Sequence, residues 1–191
     1  MPYGLKTEAS FDGAHFLTDY YGKCENLHGH RWRVVAYLRQ PSLQDEGTMR
    51  DMVIDFGVFK RALRSLVAEL DHSFLVEEGS LKPGTIRALE EDEGFSLSVL
   101  PFRTTAENLA RYFADRLLEE GMPVSQVDVY ETPLNCASYF VEQGFGSGSA
   151  SLSLGTSFGL PAWNPRRVRK LKGLLLRECA SLKAGIAHST A

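Results

Sequence analysis

Long apolar runs are absent from this 191-residue chain, and no segment approaches the roughly 20 apolar residues that span a bilayer. Residues 1–8 contain no apolar core of the kind that secretory signals carry. Positive charge is not in excess, because 21 Lys and Arg stand against 24 Asp and Glu, a formal net charge of −3. We therefore expect a soluble cytoplasmic protein that associates with neither a membrane nor a nucleic acid.

Cysteine is also scarce, with three residues at unrelated positions, Cys24, Cys136 and Cys179. Such spacing does not form a disulfide framework and is more typical of a reducing compartment. The remaining composition, 43% hydrophobic and 24% charged, is ordinary for a globular protein. The length allows one domain with a substantial core and a small appendage.

The apolar spacing predicts the order strand, strand, helix, helix, strand, strand. The predicted elements are strands 3–11 and 31–39, a helix at 58–70, a helix from a Thr104–Glu107 capping box to Gly121, and strands 124–132 and 136–142. This order favours an α+β fold with a four-stranded antiparallel sheet and two helices between the strand pairs. Residues 77–94 read as a surface excursion, followed by a possible short strand at 95–101.

The composition changes after Glu142, where a Gly/Ser-rich stretch at 144–159 precedes a basic amphipathic helix that begins at Asn164 and Pro165. We predict a domain at 1–142 and an extension at 143–191 whose helix packs on the core. Binding of RNA or another anionic surface by this helix remains the alternative.

Three histidines form a candidate metal site. His28 and His30 are two residues apart at the entry to a strand, so their rings point to the same face, and His15 supplies a third ring from the preceding strand. Three imidazoles leave one position of a tetrahedral zinc open, which is the catalytic pattern. Cys24 is then either a fourth ligand that closes the site or a reactive thiol beside the metal.

Six motifs occur in the order that characterises one family. They are FDGAH at 11–15, CxxxHGH at 24–30, IDF at 54–56, LDH at 70–72, TAEN at 105–108 and VYET at 129–132. Over about residues 5–141 the chain resembles the 6-pyruvoyl-tetrahydropterin synthase / 6-carboxy-tetrahydropterin synthase family. The resemblance implies the tunnelling fold, in which subunits join their sheets into barrels, usually as hexamers built from two trimers.

The resemblance also implies site residues. The ligands of a Zn²⁺ ion would be His15, His28 and His30, and the catalytic residues would be Cys24, Asp71 and His72. Glu131 would anchor the pterin, with Thr105 and Glu107 near its ring.

Several of these residues keep a second interpretation. Cys24 could act as a base, its thiol acidified by a nearby metal, instead of completing a structural cage. Asp71 could orient His72, or the two could form a polar helix end. Glu131 could equally be a surface residue at a strand end, and the capping role could suffice for Glu107.

The spacing of Cys24 to His28 resembles the carboxy branch, which serves queuosine precursor synthesis. That branch converts 7,8-dihydroneopterin triphosphate to 6-carboxy-tetrahydropterin and releases acetaldehyde and triphosphate. The alternatives are the pyruvoyl product, formed by triphosphate elimination, and a zinc-containing pterin-binding protein without turnover. Lys23, Arg31 and Arg103 are the candidate contacts for the triphosphate.

Overall fold

A computed structural model of the protein describes residues 1–142. The Gly/Ser-rich stretch and the basic helix predicted within 143–191 lie outside the described residues. The strands are β1 Tyr3–His15, β2 His28–Gln40, β3 Ser73–Glu77, β4 Leu97–Leu100, β5 Val124–Tyr130 and β6 Cys136–Phe140. The helices are α1 Phe56–Ala68, α2 Pro83–Arg87 and α3 Ala106–Glu119, with a 3₁₀ turn at Lys23–Glu25 and a π turn at Ala88–Asp92.

The described part of the chain forms one mixed sheet of six strands in the order β4-β3-β1-β2-β5-β6. Strands β1, β2, β5 and β6 pair antiparallel, as the sequence predicted. The α+β prediction is confirmed, but the sheet has six strands and not four, because β3 and β4 add two parallel strands on the β1 side. Strand β4 confirms the short strand expected at 95–101. The sequence pattern missed β3 because its five residues follow the α1 region directly and do not alternate.

Helix α1 begins and ends two residues before the predicted range of 58–70. The carboxylate of Asp55 accepts a hydrogen bond from the Val58 amide at 3.0 Å and so caps the first turn. The apolar stripe packs into the core through Phe59, Leu63, Leu66 and Val67. The helix ends at Ala68, so Asp71 and His72 lie in the turn before β3, where His72 has φ of +52°.

Helix α3 begins one residue later than the predicted capping box requires. Its N-cap is Thr105, whose hydroxyl accepts a hydrogen bond from the Asn108 amide at 3.4 Å. The predicted Thr104–Glu107 box is therefore wrong, because Thr104 is fully buried and contacts Phe16 and His15 instead. Gly121 has φ of +77° after the last turn, as expected for a helix C-terminus.

The core lies between one face of the sheet and the helices. Trp32 of β2 stacks on Phe11 of β1 with ring centroids 6.0 Å apart, and Phe11 contacts Phe113 of α3. His30 precedes Trp32 by two residues and shares its face, so the histidines continue this apolar surface toward one end of the sheet. No helix among residues 1–142 is long and apolar enough to cross a membrane.

Candidate metal centre and active site

The sheet register brings the three predicted histidines together. His15 ends β1 and pairs directly with His28, the first residue of β2, while Gly13 pairs with His30. The ring centroids are 4.5 Å apart for His15 and His28, 5.0 Å for His28 and His30, and 5.2 Å for His15 and His30. One nitrogen from each ring lies within 4.8 Å of the others. We call these three residues the histidine trio.

Hydrogen bonds orient two of the rings for metal binding. His15 Nδ1 is 2.8 Å from the Thr104 carbonyl oxygen, and His28 Nδ1 is 2.7 Å from the Asn26 carbonyl oxygen. A carbonyl oxygen accepts only, so each Nδ1 carries the proton and each Nε2 keeps a lone pair.

The remaining nitrogens also fit a metal. Nε2 of His15 and Nε2 of His30 are buried and have no hydrogen-bond partner among the described residues. Buried polar atoms are normally paired, so two unpartnered ring nitrogens at one point of the sheet fit a site that a cation fills. Three neutral imidazoles with free lone pairs fit a zinc ion.

Burial favours the neutral, metal-binding form of His15 and His30. Removal from water lowers the pKa of His15 from 6.5 to about 4, and the charges of His28 and His30 act in the same direction. The pKa of His30 is lowered by the same two causes, burial first and then His28. His15 and His30 therefore need not lose a proton at neutral pH before a cation binds.

The depressed pKa of His15 predicts that the metal-free protein loses stability in mild acid. Unfolding restores the ordinary pKa of 6.5, so the unfolded chain binds a proton that the folded chain resists down to about pH 4. The free energy of unfolding should fall by roughly 3 kcal/mol as pH drops through this window. Urea denaturation of the metal-free protein at several pH values measures this slope.

The matched control is His15→Gln, which cannot take up the proton. The metal-free variant should lack the part of the pH dependence that His15 contributes, because glutamine has no group that titrates. The wild-type effect arises from burial, since His15 is only 1% exposed in the folded chain. Parallel slopes for the wild type and His15→Gln would show that the pKa of His15 is not depressed by folding.

The carboxylate of Glu131 lies near His28 of the trio, and the carboxylate of Glu107 lies near Glu131. Burial raises the pKa of Glu131, the neighbouring charge of Glu107 raises it further, and His28 opposes both effects. Glu131 follows β5 and is half-buried, whereas Glu107 lies in the first turn of α3. The structure therefore places Glu107 near Glu131, as expected if both line one pocket, and its place in the first turn of α3 also fits a structural role.

Cys24 lies in the connection between β1 and β2, a stretch whose two ends carry His15 and His28. We call residues 16–27 the Cys24 loop. The thiol is free and partly buried, and the carbonyl of Cys24 accepts a hydrogen bond from the Leu17 amide at 2.9 Å. Among the described residues the set of converging ligand atoms contains the histidine trio and not Cys24.

Asp71 and His72 pair directly in the turn after α1. His72 Nδ1 is 3.1 Å from Asp71 Oδ1, and the Asp12 amide donates to Asp71 Oδ1 at 2.9 Å. The hydrogen bond from Asp12 and the one with His72 lower the pKa of Asp71. The His72 side chain is 79% exposed, and no contact in the described part of the chain joins this pair to the trio or to Cys24.

The three triphosphate candidates differ in environment. Lys23 is exposed in the Cys24 loop, and Arg31 is 77% exposed with Asp12 at 3.7 Å. Arg103 is partly buried and donates a hydrogen bond to the Thr18 carbonyl oxygen. Sequence reasoning also missed Thr104, whose backbone orients His15. The position of Thr104 next to the predicted helix start was the one available indication, and the sequence analysis interpreted it as helix capping.

Comparison with known proteins agrees with the geometry. The profile of the 6-pyruvoyl tetrahydropterin synthase family matches residues 4–142. The 6-carboxy-5,6,7,8-tetrahydropterin synthase of Haemophilus influenzae is 33% identical over 137 residues, which cover 71% of this chain and 96% of the relative. The Synechocystis protein of the same name is 33% identical over 135 residues, covering 70% and 89%.

Solved structures show the same fold. An uncharacterized protein from Wolinella succinogenes superposes with a TM-score of 0.60 at 22% identity, covering 74% of this chain and 99% of its own. The 6-pyruvoyl tetrahydropterin synthase of Plasmodium vivax superposes with a TM-score of 0.54 at 23% identity, covering 73% and 97%. The fold is the tunnelling fold, and the chain belongs to the 6-pyruvoyl tetrahydropterin synthase family.

Proposed function

We propose that this protein is a zinc-dependent 6-carboxy-5,6,7,8-tetrahydropterin synthase that acts on 7,8-dihydroneopterin triphosphate and releases acetaldehyde and triphosphate. The observation that carries the proposal is the histidine trio, with its unpaired buried Nε2 atoms, beside the carboxylate of Glu131. The named relatives and the spacing of Cys24 to His28 favour the carboxy product.

The proposed roles follow from the chemistry of each side chain. His15, His28 and His30 would hold the zinc, which supplies Lewis acidity for the hydroxyls of the substrate side chain. The thiolate of Cys24 would accept a proton from a side-chain carbon beside the developing carbonyl. Asp71 would hold His72 in one tautomer and stabilise its cation.

The carboxylate of Glu131 suits the amino-pyrimidinone edge of a pterin, which presents adjacent N–H groups. The raised pKa of Glu131 reflects burial and the charge of Glu107, and two N–H donors would compensate both costs. Glu107 and Thr105 would line the ring pocket, although the Thr105 hydroxyl also caps α3.

The product distinguishes the proposed reaction from its alternative, the pyruvoyl elimination. We expect the zinc-loaded protein to release acetaldehyde and triphosphate in equal amounts from 7,8-dihydroneopterin triphosphate. An alcohol dehydrogenase assay for acetaldehyde, with chromatography of the pterin product, measures both branches. Formation of 6-pyruvoyl-tetrahydropterin without acetaldehyde would overturn the carboxy assignment, and absence of any turnover would favour the non-catalytic alternative.

We also propose that the chain works as a homo-oligomer, a hexamer of two trimers. Support comes from two open strand sides in the described part of the chain: β1 pairs with β3 only at Gly13 and Ala14, which leaves that side of β1 before Gly13 without a strand, and the outer side of β6 has no strand. Open edges invite pairing with another chain. Assembly could also bring Asp71 and His72 to the trio of a neighbouring copy, and light scattering would measure the mass.

The remaining assignments follow from the same proposal. The catalytic unit would be residues 1–142, with 143–191 as an extension packed on it. The proposed setting is the cytoplasm, in the synthesis of the queuosine precursor.

A further inference from the structure

Arg103 and Thr104, between β4 and α3, together contact the Cys24 loop and His15 of the histidine trio. The guanidinium of Arg103 donates a hydrogen bond to the Thr18 carbonyl oxygen. The hydroxyl of Thr104 donates to the Phe16 carbonyl oxygen at 3.3 Å, and the carbonyl of Thr104 accepts from His15 Nδ1 at 2.8 Å. One short segment thus holds a proposed metal ligand and the start of the loop that carries the thiol.

These contacts reach Cys24 through a single residue. Phe16 is bound by Thr104 and Thr18 is bound by Arg103, so Leu17 is held between two fixed neighbours. The amide of Leu17 then donates to the Cys24 carbonyl at 2.9 Å. The backbone of Cys24 is therefore set by hydrogen bonds that begin at Arg103 and Thr104.

The segment that supplies these bonds is itself anchored. The carbonyl of Arg103 accepts from Asn108 Nδ2 at 3.0 Å and from the Thr105 amide at 2.8 Å, both at the start of α3. Helix α3 buries Leu109 and Phe113 completely in the core. A rigid helix therefore supports one end of the contact.

The Cys24 loop, in contrast, has little packing of its own. Its 3₁₀ turn at Lys23–Glu25 contains no buried residue, and the side chains of Tyr21 and Leu27 are exposed. The Phe16 ring also contacts Phe74 of β3, with centroids 5.9 Å apart, but from Asp19 onward the bonds that Arg103 and Thr104 make to the start of the loop are its main tie to the trio in the described part of the chain.

We propose that Arg103 is a positioning residue that fixes the Cys24 thiol relative to the histidine trio. Its guanidinium acts through the Thr18 carbonyl and not through contact with the substrate. The inference rests on the proposed role of Cys24 as the base. It gives Arg103 a role other than direct triphosphate binding, because the side chain is partly buried and already donates a hydrogen bond to the Thr18 carbonyl oxygen.

The test uses the full-length, zinc-loaded protein with Arg103→Ala and Arg103→Gln. Iodoacetamide labelling of Cys24 without substrate, followed by peptide mass spectrometry, reports thiol placement independently of turnover. We expect Arg103→Ala to change the Cys24 labelling rate severalfold and to lower kcat by about 10–100-fold with KM within about twofold, because small misplacements of a reacting group are costly. Gln keeps an N–H donor without the charge, so it should restore part of both.

Arg111→Ala is the matched control, because Arg111 lies on α3, the helix that follows Arg103, is 51% exposed and pairs with Asp115 at 3.5 Å. It should leave labelling, kcat and metal content unchanged. An Arg103→Ala protein with wild-type labelling and kcat overturns the proposal. A raised KM with unchanged labelling, equal in the Ala and Gln variants, also overturns it and indicates triphosphate binding.

Two outcomes remain for the same experiment. If Arg103→Ala does not fold, the labelling rate and kcat of Arg103→Gln decide alone, together with a crystal structure of that variant. Wild-type values in a variant whose Gln no longer bonds to the Thr18 carbonyl overturn the proposal. If the wild type has no turnover, the proposed function fails, whereas the labelling comparison still tests the positioning role.

Discussion

Replacing Cys24 with alanine should lower kcat by about 10²–10⁴-fold, the range that a general base contributes. Zinc content should stay at the wild-type level, because the converging ligand atoms belong to His15, His28 and His30 and not to Cys24. The loop backbone should also persist, since its bond to Leu17 uses the Cys24 carbonyl and not the thiol. Steady-state kinetics and metal analysis of the purified variant measure both quantities.

Cys136→Ala is the matched control for this variant. Cys136 is also a free thiol, but it is exposed on β6 and has no contact with the trio in the described part of the chain. We expect wild-type kcat and metal content. Loss of zinc in Cys24→Ala would instead identify a four-ligand structural cage, and wild-type kcat in that variant would remove Cys24 from the proposed mechanism.

Replacing His15 with alanine should release the zinc and abolish measurable turnover. Removing a group that merely orients a metal ligand already costs roughly 10–100-fold in metal affinity, and loss of a ligand should cost at least as much. His15 is also the most buried member of the trio, at 1% exposure, and its Nδ1 bond to Thr104 links β1 to α3. Competition with a fluorescent zinc chelator gives the affinity, and circular dichroism reports the fold.

His72→Ala is the control that separates metal binding from catalysis. Both variants remove an imidazole, but the side chain of His72 is 79% exposed and pairs with Asp71 outside the trio. We expect His72→Ala to bind zinc as the wild type does and to lose activity. Wild-type zinc affinity in His15→Ala would contradict the assignment of the metal ligands, and zinc loss in His72→Ala would mean that a fourth imidazole reaches the ion.

The sequence alone was sufficient where local periodicity decides the structure. The two-residue spacing of His28 and His30 placed both rings on one face of a strand, and the helical spacing from Phe59 to Val67 located α1. The ordered motifs identified the family. The strand spacing and the helix spacing depend on neighbours within a few residues, so the backbone geometry of one element is enough to predict them.

Tertiary structure decided the features that depend on distant segments. The parallel pairing of β3 with β1, the proximity of Glu107 to Glu131 and the bonds of residues 103 and 104 to the Cys24 loop join residues far apart in the chain. Thr104 shows why: its hydroxyl had a plausible local partner at the helix start, but burial against His15 and Phe16 gave it stronger ones. Sheet order and packing select among such competing bonds, and a one-dimensional pattern contains neither.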